Sequence, residues 1–396
     1  MKPRLMYIST LPCEQTTGGP VQMYRHFVEN RDFDLDTIIE SYTSATQYIK
    51  TSSKQFNRLL DRGSKTRFFP EFIAINTLLA EHQVSPLILD KVLAYAPNAI
   101  VTVAFGNYSF VASNVARKLK LPLITFFHDW WPDLTPCRGM GKKLLDKRFF
   151  QIYQQSDLAL CVCESMRREL GTHRNSIVLY PIPNINPPKN LSTVTIQQTK
   201  QLKVVYLGWL GGDHGKIIQS LVDYFQIKSE DWLDLRVYGS TDGWNNATLD
   251  FAKSKGLYRG SPKHGFEVQT VLSEADAFLV VLNFSQSLRR RVKTSFPSKI
   301  LEYSYYGKPI IVWGPDDSSA VRFLKDHEAG LTVTSPEPAN LIQRLFKLKS
   351  DIDERVKFSR AAKKLSESIF DPSSIHTQML SAINRVIDTF PSKLNK

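Results

Sequence analysis

Short apolar runs that alternate with amphipathic stretches constrain this chain more than any other feature of its sequence. Residues 5–10 form a compact apolar run, followed by a loop containing Gly18, Gly19 and Pro20 and by a helical pattern over 21–29. Residues 99–104 (AIVTVA) are apolar throughout, 109–119 have helical periodicity, and 121–127 and 158–162 are again apolar runs. Runs this short, without polar alternation, read as strands buried on both faces, as in a parallel sheet covered by helices.

The pattern then pauses and restarts. Residues 179–189 (LYPIPNINPPK) hold four prolines, a composition that suits a linker. Beyond it, 204–207 predicts a strand that ends in a loop with Gly208, Gly211, Gly212 and Gly215. A helix over 216–225, a strand over 235–238, a helix over 268–274 and a strand over 277–282 follow. A helix over 297–306, a strand over 309–312 and helices over 320–326 and 338–348 come next. Residues 352–389 are helical with a break at Asp371 and Pro372. The expected fold class is α/β, with a doubly wound domain over 1–185, a linker over 186–200 and a second doubly wound domain over 201–372. A C-terminal helix over about 373–396 is expected to pack back on the first domain. Such domains bind ligands at the carboxyl ends of their strands, so a pair of them predicts a binding cleft where the two face each other.

Charge and cysteine usage narrow the classes of partner. The net charge is +13, spread through the chain rather than held in a tail. Its denser clusters are Lys142, Lys143, Lys147 and Arg148, then Arg289, Arg290, Arg291 and Lys293. A diffuse positive field suits a polyanionic ligand, an anionic membrane surface or nucleic acid. Neither cluster is interleaved with aromatic residues and no nucleic-acid-binding signature is present, so no nucleic-acid partner is expected. The longest apolar runs fall well short of the ~20 residues of a membrane span. Lys2 and Arg4 precede a stretch too short and too polar for a secretory signal. The expectation is a cytoplasmic protein with room for peripheral contact with an anionic membrane. The four cysteines lack metal-binding spacing and read as reduced thiols.

Residues 294–309 (TSFPSKILEYSYYGKP) carry the most chemistry. Thr294 and Ser295 are suitable N-caps, and Pro297 suits a first helical turn. Free amides at the start of that helix make an anion site. Lys299 stands in the first turn, where the helix dipole disfavours a cation and a bound anion would compensate. Glu302 follows three residues later on about the same face, where a carboxylate can accept both hydrogen bonds of a ribose diol. On residue chemistry alone, an ordinary capped helix with Lys299 and Glu302 solvated fits equally well.

Residues 295–311 closely resemble the signature of retaining GT-B glycosyltransferases, in particular glycosyltransferase family 4, whose form is close to SFPSKILEYxAxGKPII. The resemblance implies two Rossmann-like domains and transfer of a sugar, with retention, from a UDP- or GDP-sugar to an acceptor hydroxyl. It implies a hexosyl-type transferase of bacterial glycan, polysaccharide or glycolipid synthesis. The acceptor class is a glycan, a lipid-linked sugar or a small molecule. No metal or other cofactor is implied, because the helix and basic residues take the metal's place. By the same resemblance Glu302 binds the donor ribose, and Ser295, Phe296, Pro297, Ser298 and Lys299 hold the diphosphate. Gly18 and Gly19 resemble the family's N-terminal glycine loop, and Gly211 and Gly212 its second glycine loop. His128 resembles the histidine that contacts the donor sugar, Arg259 stands where the nucleobase is met, and Lys216 adds phosphate charge. His128, Glu302 and Lys299 are the expected catalytic group. Two positions depart from the pattern: Thr294 replaces an upstream glutamate, and Trp209 an arginine. Two other readings fit the same sequence, a GT-B-fold sugar-nucleotide epimerase and a non-catalytic glycosyltransferase-like subunit.

Overall fold

A computed structural model describes residues 2–16, 18–39, 69–80, 84–183, 198–262 and 265–391. The chain divides into two compact units, Met1–Ile182 with Ile375–Lys396, and Pro183–Ser374. Most of the proline-rich linker, including Pro187 and Pro188, lies outside the described residues.

The first unit is built on six parallel strands: β1 (Arg4–Ser9), β2 (Asp34–Ile39), β3 (Ala99–Val103), β4 (Leu123–Phe127), β5 (Leu158–Cys161) and β6 (Ser176–Val178), in the order β2-β1-β3-β4-β5-β6. Its helices are α1 (Gly19–Tyr24), α2 (Phe69–Leu79), α3 (Pro86–Tyr95), α4 (Tyr108–Leu119), α5 (Gly139–Gln155) and α6 (Glu164–Leu170). α1 continues as a π-helical turn over Arg25–Glu29. Successive side chains of a strand point to opposite faces. Leu5 and Tyr7 enter one core while Met6 and Ile8 enter the other. Both faces of β1 are therefore apolar, as are those of the interior strands β3, β4 and β5, which is why these four read as short apolar runs, whereas β2 and β6 do not.

The second unit has five parallel strands: β7 (Leu202–Leu207), β8 (Leu233–Tyr238), β9 (Ala277–Val281), β10 (Ile310–Trp313) and β11 (Leu331–Val333), in the order β11-β10-β9-β7-β8. They alternate with α7 (Gly212–Ile227), α8 (Asn246–Ser254), α9 (Phe266–Ser273), α10 (Arg289–Thr294), α11 (Ser298–Ser304), α12 (Ser319–Asp326), α13 (Pro338–Ser350) and α14 (Ile352–Ser366). The last helix, α15 (Pro372–Thr389), returns the chain to the first unit. Its Ile375, Met379, Ile383 and Val386 lie in the same core as Leu5 and Tyr7. Side chains buried this fully contribute about 1.5–3 kcal/mol each. His376 on the same helix lies 2.6 Å from Asp32, Nε2 to Oδ2.

The structure corrects several boundaries. α7 starts inside the glycine loop, at Gly212. The helix expected over 297–306 is the shorter α11, and a separate basic turn, α10, precedes it. Thr294 and Ser295 are therefore not its N-caps. Thr294 ends α10, where its hydroxyl donates back to the Arg290 carbonyl at 2.9 Å, and Ser295 is extended.

Candidate functional site

Each sheet has one point where the chain order reverses, and ligands of doubly wound folds bind outside the carboxyl ends of the strands there. In the second unit that point falls between β7 and β9, which pair through Val204 with Ala277 and Val205 with Phe278. The loop after β7 opens α7, and the chain after β9 passes through α10 into α11. Two helix starts therefore stand beside one switch point. Among the described residues no side chain caps either: Gly211 precedes α7 and Pro297 precedes α11. First-turn amides without an intrahelical or side-chain acceptor can receive an anion.

The residues around α11 divide into anchors and exposed groups. Phe296 is buried, with its ring 5.2 Å from Phe323 and 6.2 Å from Phe370 between centroids. The Ser295 carbonyl accepts from the Ser319 hydroxyl. These contacts hold the extended turn that aims Pro297 and Ser298 at the helix start. Lys299 and Glu302 are half-buried on the same face. Burial lowers the pKa of Lys299, and the charge of Glu302 opposes that shift. An ammonium held in this way gains from a bound anion.

The glycine loop after β7 is shaped by backbone approach. Gly239, with φ +147°, passes so close to the loop that a Cβ there would fall 1.7 Å from the Gly208 carbonyl oxygen. Trp209, 57% exposed, lies over Gly211 and Gly212, and its Nε1 donates to Asp242 Oδ2 at 3.3 Å. A Cβ on Gly211 would meet the indole at 2.5 Å. An indole thus fills the place of the expected arginine. Lys216 is exposed on the first turns of α7. Arg259 is exposed, and its guanidinium lies 3.8 Å from Asp234, near the start of β8 rather than its carboxyl end. Arg289 in α10 pairs with Asp317 at 2.6 Å.

The first unit carries the remaining candidates. Its order reverses between β1 and β3, and the loops after these strands meet where the Tyr108 amide donates to the Thr10 hydroxyl at 3.2 Å. Gly18, at φ +69°, is the N-cap of α1, with open space where a side chain would begin, and Gly19 packs on Leu11. His128 follows β4, half-buried and stacked on Phe126 at 5.9 Å between centroids. Burial lowers its pKa, with Asp129 opposing. The ring of His26, on the π-helical turn, lies 5.6 Å from the same Phe126. Burial first, then the charges of His128, His376 and Arg25, lower the His26 pKa to about 3. The sequence reading missed His26, because a histidine inside a helical pattern carries no signal of burial. The structure thus gathers Ser295 to Lys299, Glu302, Gly211 and Gly212 at one switch point, and Gly18, Gly19 and His128 on the carboxyl-end side of the other unit's sheet, after β1 and β4.

Among the described residues no group of three or more His, Cys, Asp or Glu is placed to hold a metal ion. No helix of the described residues is long and apolar enough to cross a membrane.

No family model and no curated protein sequence matches the chain. Solved structures do. Sucrose-phosphate synthase from Thermosynechococcus elongatus is 13% identical, with a TM-score of 0.61 over 98% of this chain and 100% of that one. HepE from Anabaena, solved in complex with UDP, is 12% identical, with a TM-score of 0.60 over 96% of this chain and 100% of that one. A putative UDP-N-acetylglucosamine 2-epimerase from Listeria monocytogenes is 12% identical, with a TM-score of 0.56 over 98% and 97%. At such identities the likeness concerns architecture, and the architecture it establishes for this chain is the GT-B fold, two Rossmann-like parallel-sheet units in one polypeptide.

Proposed function

We propose that the protein is a glycosyltransferase that moves a sugar from a UDP- or GDP-sugar to an acceptor hydroxyl with retention. The observation that carries this reading is the pair of uncapped helix starts, α7 and α11, beside one switch point, with Lys299 and Glu302 a single turn apart. The diphosphate lies at Ser295 to Ser298 with Lys299 and the Gly211–Gly212 amides, and Glu302 accepts from the ribose diol. Gly18 and Gly19 approach the donor phosphates, and His128 meets the sugar. Lys216 adds positive charge. Arg259 reaches a nucleobase only after leaving Asp234.

In the transfer, the bond between the anomeric carbon and the diphosphate oxygen breaks as the acceptor oxygen bonds to the same carbon. The departing diphosphate takes the acceptor proton, so no separate protein base is required. Amides and cations held in place stabilise the charge that grows on the leaving group. The reaction runs without a divalent metal, in the cytoplasm, on a bacterial glycan, a glycolipid or a small-molecule acceptor.

A thermal-stability screen of nucleotide sugars tests the donor assignment, since a ligand at 100 times its Kd adds about 2.7 kcal/mol. A protein that no UDP- or GDP-sugar stabilises is not a nucleotide-sugar enzyme. The likeness to an epimerase structure favours one rival. Conversion of the donor to its epimer with no acceptor present would select that rival, whereas transfer or slow hydrolysis selects the transferase. Transfer activity is expected to survive EDTA. Complete loss, restored by magnesium or manganese, would overturn the helix-and-lysine site.

A further inference from the structure

The basic cluster at 142–148, which the donor site does not use, falls on α5. This helix buries Leu145, Phe149, Ile152 and Tyr153 against its own unit. Its opposite face starts with Met140 and Leu144, which are 72% and 41% exposed, and carries the exposed Lys143 and Lys147 between and beside them. Residues 140, 143, 144 and 147 follow helical spacing, so they share one outward stripe. The one acid of α5, Asp146, is turned away from that stripe to accept from the indole Nε1 of Trp130 at 3.0 Å. Lys142 is likewise taken up, by Asp133 at 2.5 Å. α2 packs along α5, with Ala74 against Gly141, and adds the exposed Ile75 and Leu79.

We propose that this face of the first unit is a docking surface for an anionic lipid bilayer. Lysines beside flexible aliphatic side chains, with no acid on the α5 stripe and one, Glu71, exposed on α2 in line with Ile75 and Leu79, match the two attractions that a charged membrane interface offers. Phosphate headgroups meet the ammonium groups, and the acyl boundary receives Met140 and Leu144. A nucleic acid would leave the aliphatic side chains without a partner, and the stripe carries no exposed aromatic ring for a base to stack on. The inference is independent of the transferase reading, because it concerns vesicle binding and requires no donor.

The test is co-sedimentation of the full chain with phosphatidylcholine vesicles, with and without phosphatidylglycerol. The protein is expected to bind the anionic vesicles and to leave the neutral ones. Lys143→Glu with Lys147→Glu should weaken that binding at least about tenfold. Met140→Ser with Leu144→Ser should leave weaker binding that salt abolishes. All four positions are surface-exposed, so circular dichroism should show an unchanged fold. Equal binding to neutral vesicles, or unaltered binding by both double variants, overturns the proposal. Duplex DNA binding that the lysine variant loses, without vesicle binding, also overturns it and assigns the face to nucleic acid.

Discussion

The hydroxyl of Tyr303 donates to the backbone carbonyl of Leu207 at 3.3 Å, from a fully buried ring stacked on Phe278 with centroids 4.4 Å apart. This bond ties α11 to the last residue of β7, one position before the glycine loop. It fixes the two halves of the candidate site to each other within one unit. Tyr303→Phe keeps the stack and loses the hydrogen bond, so unfolding in urea should become easier by roughly 1 kcal/mol. Tyr303→Ala also opens a cavity and should cost about 3–5 kcal/mol. A phenylalanine variant that unfolds as the parent does would show that the bond contributes nothing.

Glu302 is the side chain whose removal should affect nucleotide binding most directly. Charge-assisted bonds to a diol are stronger than neutral ones, and losing one costs about 1.5–3 kcal/mol. Glu302→Ala should therefore bind free UDP or GDP roughly ten- to a hundredfold more weakly, read by titration calorimetry. Glu302→Gln keeps one acceptor and should lose less. Unchanged affinity in a folded Glu302→Ala protein would remove the ribose role.

His128→Ala should separate turnover from binding. The histidine stands at the tip of β4, in the unit that does not contain Glu302. Its loss should lower kcat by at least about tenfold while the Kd for the free nucleoside diphosphate changes little. Equal turnover by the variant would assign the ring a packing role on Phe126.

His26 predicts a stability change in acid. Its folded pKa, lowered to about 3, lies below the unfolded value near 6.5. The unfolded chain thus takes up a proton between these values while the folded protein does not. Stability is complete above about pH 6.5 and falls as the pH drops toward 3, with a slope approaching 1.4 kcal/mol per pH unit. The lowered pKa of His128 acts in the same direction. His26→Phe should flatten the decline of the urea midpoint between pH 7 and 4.5. A decline as steep as the parent's would place the acid sensitivity elsewhere.

The sequence alone determined the α/β alternation, because strands buried on both faces must be apolar at every position. It also marked a helix beginning near Pro297 and the Lys299–Glu302 spacing on it, since these lie within a few residues of one another, but not the extended turn at Ser295 or the separate helix that Thr294 ends. The strands it missed, β2, β6 and β11, are all at sheet edges. An edge strand is short or partly polar, and its pairing partner supplies what its own pattern lacks. Only the tertiary structure decided which loops meet at the switch points, that Trp209 covers Gly211, and that Arg259 turns to Asp234. It also decided that His26 and His128 flank one phenylalanine. Such contacts join residues far apart in the chain, and local propensity contains no information about them. The α5 stripe shows the same division. Its lysines were visible as a cluster, but which face they share with Met140 and Leu144 depended on which face the core had already taken.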